Sequence, residues 1–235
     1  MITFFKLMPN FFDLNVHAYP ETDVAVDDML RIAKRYGYAG IAITNHDDTG
    51  KEKKEVLFTP ISNFAFRGVE IRAKSVSELK RRIKLHYGEV SLLAVHGGNE
   101  VINEAALKDS RVDLLAHPCG ENVEGELSHV LVRYAAENSV AIDFNLNPII
   151  RSKRGDRARI LWKMRENLKL VRKYKALAII TSNARSIYDL RAPREIIALA
   201  SLFGMKKEEA VHALSAVPEG VLKKKWKKKT EVEII

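Results

Sequence analysis

The segment Ala39-Gly40-Ile41-Ala42-Ile43-Thr44-Asn45-His46-Asp47-Asp48 decides the fold. Its first six residues are small or branched and nearly all apolar. The last four are polar and able to hold protons, metals or phosphates. A run this short and continuous suits a parallel strand buried on both faces. Six further runs follow the same plan: Phe11 to Val16, Phe64 to Ile71, Val90 to Val95, Val112 to Ala116, Val140 to Phe144 and Ala176 to Thr181. Their starts are mostly 22 to 28 residues apart, with a wider gap before the seventh. That is the period of a repeated βα unit with right-handed parallel crossovers.

The intervening stretches carry helical periodicity. Val26, Met29, Leu30 and Ala33 fall on one helical face, as do Leu127, Val130, Leu131 and Tyr134. Ser75 and Glu78 form a capping box ahead of Leu79 and Ile83. Ile196, Leu199, Ala200 and Phe203 mark a late helix that Gly204 is placed to end. An open doubly wound sheet and a closed barrel both fit this alternation. The absence of a glycine-rich dinucleotide fingerprint after the first run weighs against the open sheet. The expectation is an irregular TIM-type α/β barrel of seven or eight parallel strands ringed by helices. It is expected to fill residues 1–220, followed by a basic tail at 221–235.

Composition narrows the setting. The apolar fraction of 46% supplies a core, and no apolar run approaches the ~20 residues of a membrane helix. Cys119 is the sole cysteine, so an internal disulfide is excluded and a reducing, cytoplasmic location is expected. Glutamine is absent and lysine abundant, a bias found in hyperthermophile proteins. Charge is uneven. Residues 1–150 hold 17 Lys+Arg against 21 Asp+Glu, a balance of −4, whereas residues 151–235 hold 22 against 9, a balance of +13. That asymmetry points to a polyanionic partner.

In a parallel barrel the carboxyl ends of the strands converge on one mouth. The residues due there are Asp13, Asn15 and His17; Asn45, His46 and Asp47; Glu70 and Arg72; His96; His117; Asp143, Asn145 and Asn147; and Asn183 and Arg185. Four of the seven histidines thus occupy equivalent positions. The order Asp13-x-Asn15-x-His17, then Asn45-His46-Asp47, Gly68-Val69-Glu70 and His117-Pro118 resembles the polymerase-and-histidinol-phosphatase superfamily. That resemblance implies a barrel with a multi-metal phosphoesterase site, in which His17, His46, Glu70 and His117 match the ligand pattern. Asn15 and Asn45 stand where the pattern has His and Asp, and Asn183 and Arg185 replace its late Asp-x-His. An amide is a poor ligand for zinc or manganese, and a guanidinium is a permanent cation where a metal would sit. No catalytic residue, metal ligand or cofactor is therefore expected. One residual ion on His17, His46, Glu70 and His117, serving a metal-dependent phosphoesterase, is the alternative.

The segments FFDLNVHAYPE, GYAGIAITNH, GVEI, LLAHP and TSNARSIYDLRAPRE, spread over about residues 10 to 205, resemble the archaeal ribonuclease P protein component 3 family. The resemblance implies a non-catalytic barrel bound to ribonuclease P RNA, paired with protein component 2 and meeting precursor tRNA only indirectly. The particle as a whole would be the endonuclease that removes 5′ leaders. For RNA contact the residues expected are Arg72, Arg151, Lys153, Arg154, Arg157, Arg159 and Arg185 around the mouth, with Lys223, Lys224 and Lys225 in the tail. The segment from Ile150 to Arg159 is read as a surface loop, and Trp162 as a residue at the edge of the core. Pro218 and Gly220 are read as a break before the lysine run, in which Trp226 could stack on a base.

Overall fold

A computed structural model of the chain describes residues 9–48, 64–120 and 125–223. Seven strands, β1 (Phe12–Val16), β2 (Gly40–Ile43), β3 (Ala65–Ile71), β4 (Leu92–His96), β5 (Leu114–Ala116), β6 (Ala141–Asn145) and β7 (Ala178–Thr181), pair in sequence order. Every pair is parallel. Helices α1 (Val26–Arg35), α2 (Val76–His86), α3 (Glu100–Leu107), α4 (His129–Asn138), α5 (Asn147–Arg151), α6 (Arg154–Tyr174), α7 (Pro193–Ser201) and α8 (Lys207–Leu214) ring the strands. Each of the seven predicted runs is a strand, so the irregular TIM-type barrel holds with seven strands among the described residues.

The sheet closes by a partial seam. Val16 and Ala184 form an isolated parallel bridge, and the His17 N–H donates to the Ala184 carbonyl at 2.8 Å. Below it the Asp13 carboxylate accepts from the Ser182 N–H at 3.2 Å, standing in for the missing ladder. Parity along the strands then sorts the core. Outward residues such as Ile41, Ile71, Val95, Leu115, Ile142 and Ile180 pack under the helices. Inward residues Phe12, Leu14, Ala42, Leu92, Ala94, Leu114, Ala141 and Ile179 fill the barrel.

The helices are capped as the pattern suggested, with one shift. Ser75 accepts from the Glu78 N–H at 3.2 Å, but Glu78 answers to the Lys74 N–H at 2.8 Å, one residue earlier than a capping box requires. Asn99 accepts from Val101 and Ile102 at the start of α3, and Ser128 from Leu131 at the start of α4.

Two expectations need correction. The stretch expected as a loop between Ile150 and Arg159 is helical: α5 ends at Arg151, and α6 begins at Arg154 and runs for 21 residues. Arginine is a good helix former, and one glycine, Gly155, in the first turn does not stop propagation. Nor do Pro218 and Gly220 interrupt the chain, because residues 216–223 are helical. Pro218 falls in the first turn, where its missing N–H has no intrahelical partner to lose. Val217 and Val221 pack against Phe12, Leu14 and Leu92 and plug the floor of the barrel. Val221 and Leu222, expected to head a tail, therefore belong to the packed body. No helix among the described residues is long and apolar enough to cross a membrane.

Candidate functional site

The polar layer begins where β1 bulges. Its register slips by one residue between Asp13 and Val16. Leu14 faces the barrel interior, and Asn15 also turns inward to donate to Glu70 Oε2 at 3.1 Å. Bulges re-aim side chains in this way. Glu70, fully buried on β3, is the hub. Its Oε1 lies 2.6 Å from His96 Nδ1, 3.3 Å from His46 Nε2 and 3.5 Å from His117 Nε2, and its Oε2 is 3.7 Å from His17 Nε2. The four strand-end histidines thus surround one carboxylate. Gly97 lets the loops after β4 and β5 close on the hub, since a Cβ there would sit 2.7 Å from the Ala116 carbonyl. His117 and Asn183 are both held at φ 47, the left-handed region that non-glycine residues usually avoid.

Glu21 forms a second hub that sequence reasoning missed. It bridges His17 Nδ1 at 3.1 Å, His46 Nδ1 at 2.8 Å and the His46 N–H at 2.7 Å, and takes a bond from Arg185 at 2.5 Å. It follows β1 in a loop, beyond the strand ends that the barrel rule inspects, so only its nearness to His17 in sequence signalled it. Burial works to raise Glu21 and Glu70, but the histidines around each more than reverse this and hold both below the usual carboxylate range. Burial works to lower His46, yet its bonds to Glu21 and Glu70 lift it to about 9. Arg72 Nη2, 3.0 Å from His46 Nε2, pulls the other way, because a guanidinium can only donate and needs a lone pair there.

Asparagines complete the network. His17 Nε2 meets Asn183 Oδ1 at 2.9 Å, His117 Nδ1 meets Asn145 Nδ2 at 2.8 Å, and Asn45 Oδ1 accepts from the Ala18 N–H at 2.9 Å. Under this layer lie two more buried acids. Burial raises Asp13 to about 6 against its bonds to Ser182 and Asn15. Asp143 is raised well above the carboxylate range by burial, accepts from Thr181 at 2.8 Å and keeps one oxygen without a partner among the described residues. Cys119 is buried and accepts from Asn167 at 3.1 Å; burial pushes its thiol up, which makes it unreactive.

Two trios could each gather around one ion: His17, Glu21 and His46, and His46, Glu70 and His96. A phosphoesterase pair needs two cations held by several anionic ligands. Here each trio offers one carboxylate, and a guanidinium already stands at each: Arg185 on Glu21 and Arg72 on His46. The donor set does not fit a metal pair.

The arginines form the rim. Arg72, Arg151, Arg159 and Arg185 line one open cavity of about 590 Å³ together with Asn147 and Asn183. Lys153, extended at the N-cap of α6, and Arg154 and Arg157 on its first turns are exposed beside it. Lys223 is elsewhere: it pairs with Glu219 at 2.7 Å on the helix that plugs the floor, at the opposite pole. Lys224, Lys225 and Trp226 lie outside the described residues. Trp162, expected at the core edge, is 56% exposed on α6. The buried face there is held by Ile160, Met164, Leu168 and Val171.

The family model for RNase P subunit p30 matches residues 10–230. The chain belongs to that family. A p30-family relative, ribonuclease P protein component 3 of Methanococcoides burtonii, is 43% identical over 216 residues, 92% of this chain and 88% of the relative. Among solved structures, a chain in the cryo-EM structure of archaeal ribonuclease P with mature tRNA superposes with a TM-score of 0.75 at 22% identity, covering 90% of each chain. A histidinol phosphate phosphatase of Lactococcus lactis, solved with zinc, L-histidinol and phosphate, superposes at 0.55 with 10% identity, covering 92% of this chain and 94% of the other. Both likenesses concern the fold. In this chain two arginines stand at the histidine ring, Arg185 on Glu21 and Arg72 on His46.

Proposed function

We propose that this chain is a protein subunit of ribonuclease P that binds the particle's RNA through the arginine rim. In that role it assists RNA-catalysed removal of 5′ leaders from precursor tRNA, which it meets only indirectly. Membership of the p30 family supports the role, and the observation that carries the RNA contact is the rim. Four guanidiniums face one open cavity, with three further cations at the adjoining start of α6. Guanidiniums bridge phosphates in pairs of bonds, and structured RNA is engaged largely through shape and backbone. Protein component 2 is the protein neighbour we assign. The exposed Trp162 supports such a contact, since tryptophan anchors are common at interfaces. We place the particle in the cytoplasm, and the lysine run after residue 223 as a further RNA-facing segment.

The test is a gel-shift titration with ribonuclease P RNA. Reversing Arg151, Arg154 and Arg157 to Glu is expected to weaken association while leaving the melting temperature nearly unchanged. Unaltered affinity removes this part of the rim from the interface. The competing reading, a metal-dependent phosphoesterase, draws on His17, His46, Glu70 and His117 meeting at one point. Elemental analysis of protein purified without chelator separates the two readings. Two bound ions, with phosphoester turnover lost in His117→Ala, would replace the RNA-binding role by an enzymatic one.

A further inference from the structure

The rim cavity is more than a charged surface. At about 590 Å³ it lies within the ~300–1,000 Å³ usual for small-molecule sites, and a double helix cannot enter a recess of that size. Its walls are mainly polar, with four arginines against the single acid Asp156. Among the described residues, two of these arginines are held only by ion pairs in which the guanidinium is more than half exposed: Arg151 with Asp189 at 3.2 Å and Arg159 with Asp156 at 3.3 Å. Such pairs are worth little, so either guanidinium can turn readily to an incoming phosphate.

The same walls carry unused amide atoms. Asn147 commits its Nδ2 to the Asn183 carbonyl, and Asn183 commits one end of its amide to His17. The Asn147 Oδ1 and the other end of the Asn183 amide have no partner among the described residues. An acceptor and a donor beside a phosphate-binding ring are what a nucleobase edge requires. Unpaired bases are also the part of an RNA that proteins read by hydrogen bonding, with arginine planes available for stacking. We propose that this cavity receives one unpaired nucleotide, its phosphate among Arg72, Arg151, Arg159 and Arg185 and its base edge against Asn147 and Asn183. The proposal rests on the RNA-binding reading and adds a pocket and a ligand class to it.

The test uses the full chain at low salt, titrated by calorimetry with the four nucleoside 5′-monophosphates and separately with inorganic phosphate. At least one monophosphate is expected to bind about tenfold more tightly than phosphate. Asn147→Ala should abolish that preference and leave phosphate affinity intact, while Arg159→Glu should weaken both ligands; melting curves check that each variant is folded. A 2-aminopurine placed at unpaired positions of ribonuclease P RNA should change its fluorescence on binding wild type and not on binding Asn147→Ala. Equal affinity for phosphate and every monophosphate, or a preference that survives Asn147→Ala, overturns the nucleotide pocket. If the RNA still binds in an arginine-dependent way, the RNA-binding reading stands without the pocket. If neither RNA nor monophosphate binds, both fail.

Discussion

The histidine–carboxylate centre and the arginine rim occupy the same mouth and behave as opposites. In the centre, the side chains of Glu70 and Glu21 are shielded from solvent and each is surrounded by histidines, so their charge is answered within the chain. On the rim, Arg151, Arg154, Arg157 and Arg159 are exposed, and the ion pairs of Arg151 and Arg159 are open to solvent. A charge already satisfied inside the fold contributes to shape and stability. A charge paired only at the surface can be exchanged for a ligand. A cluster of histidines at a barrel mouth is therefore no evidence of catalysis by itself: what matters is whether its charge is left for a ligand to answer.

The comparison breaks most sharply at Glu70. Glu70→Ala leaves a ring of histidines without its hub, and removing one partner of a buried charged network costs about 3–5 kcal/mol. Urea unfolding should show that loss, and variant protein that remains folded should retain its RNA affinity. A stability change under about 1 kcal/mol would show that the centre does not hold the mouth together. The rim should respond in the reverse sense. With Arg151, Arg154 and Arg157 reversed to Glu, the slope of log affinity against log salt should shrink by roughly 2–3, since each phosphate no longer neutralised removes about 0.7–0.9. An unchanged slope would mean that these side chains touch no phosphate.

Acidity sharpens the contrast further. Glu70 is held below its ordinary 4.5 in the folded state, so its contribution is present above that pH and is lost as the pH falls below it. His46 is raised from 6.5 to about 9, so its contribution is complete below 6.5 and disappears as the pH rises through about 9. Asp13, raised from 3.8 to about 6, works in the opposite direction and stabilises the fold as the pH drops from 6 towards 4. The gap in melting temperature between wild type and Glu70→Gln cancels Asp13. That gap should be widest between pH 4.5 and 6.5 and narrow on both sides. A constant gap would mean that ionisation does not govern the centre.

Arg185 stands at the seam, bonded to Glu21 yet lining the rim cavity. Its side chain is 38% exposed but its partner Glu21 is only 4% exposed, so Arg185→Ala should cost more than the ~1 kcal/mol of a surface pair and less than Glu70→Ala. It should also weaken RNA binding measurably in the same gel-shift titration. A large loss of stability without an RNA effect would assign Arg185 to the centre alone.

All seven strands were legible because a buried parallel strand needs a short, nearly continuous apolar run, and Phe11 to Val16 and Val140 to Phe144 keep that character although Asp13, Asn15 and Asp143 interrupt them. The mouth was legible in part. Strand ends converge in any parallel barrel, which was enough to group His17, His46, Glu70, His96 and His117 from their positions in the chain. Glu21 escaped because it sits in a loop whose path no periodicity sets. The helical state of residues 154–159 was hidden because a basic stretch with one glycine suits a loop and a first helical turn alike.

Sequence alone thus supplied the order of seven strands, while leaving room for an eighth, together with the family likeness and the set of histidines, amides and carboxylates at the strand ends, since each is written in residue type and spacing. Only the tertiary structure decided which cations remain available. Pairing depends on three-dimensional proximity: Arg185 meets Glu21 across 164 residues, and Lys223 is carried to the far pole by the helix that seals the floor. No tally of charge along the chain could separate the arginines left facing solvent from the ones already engaged.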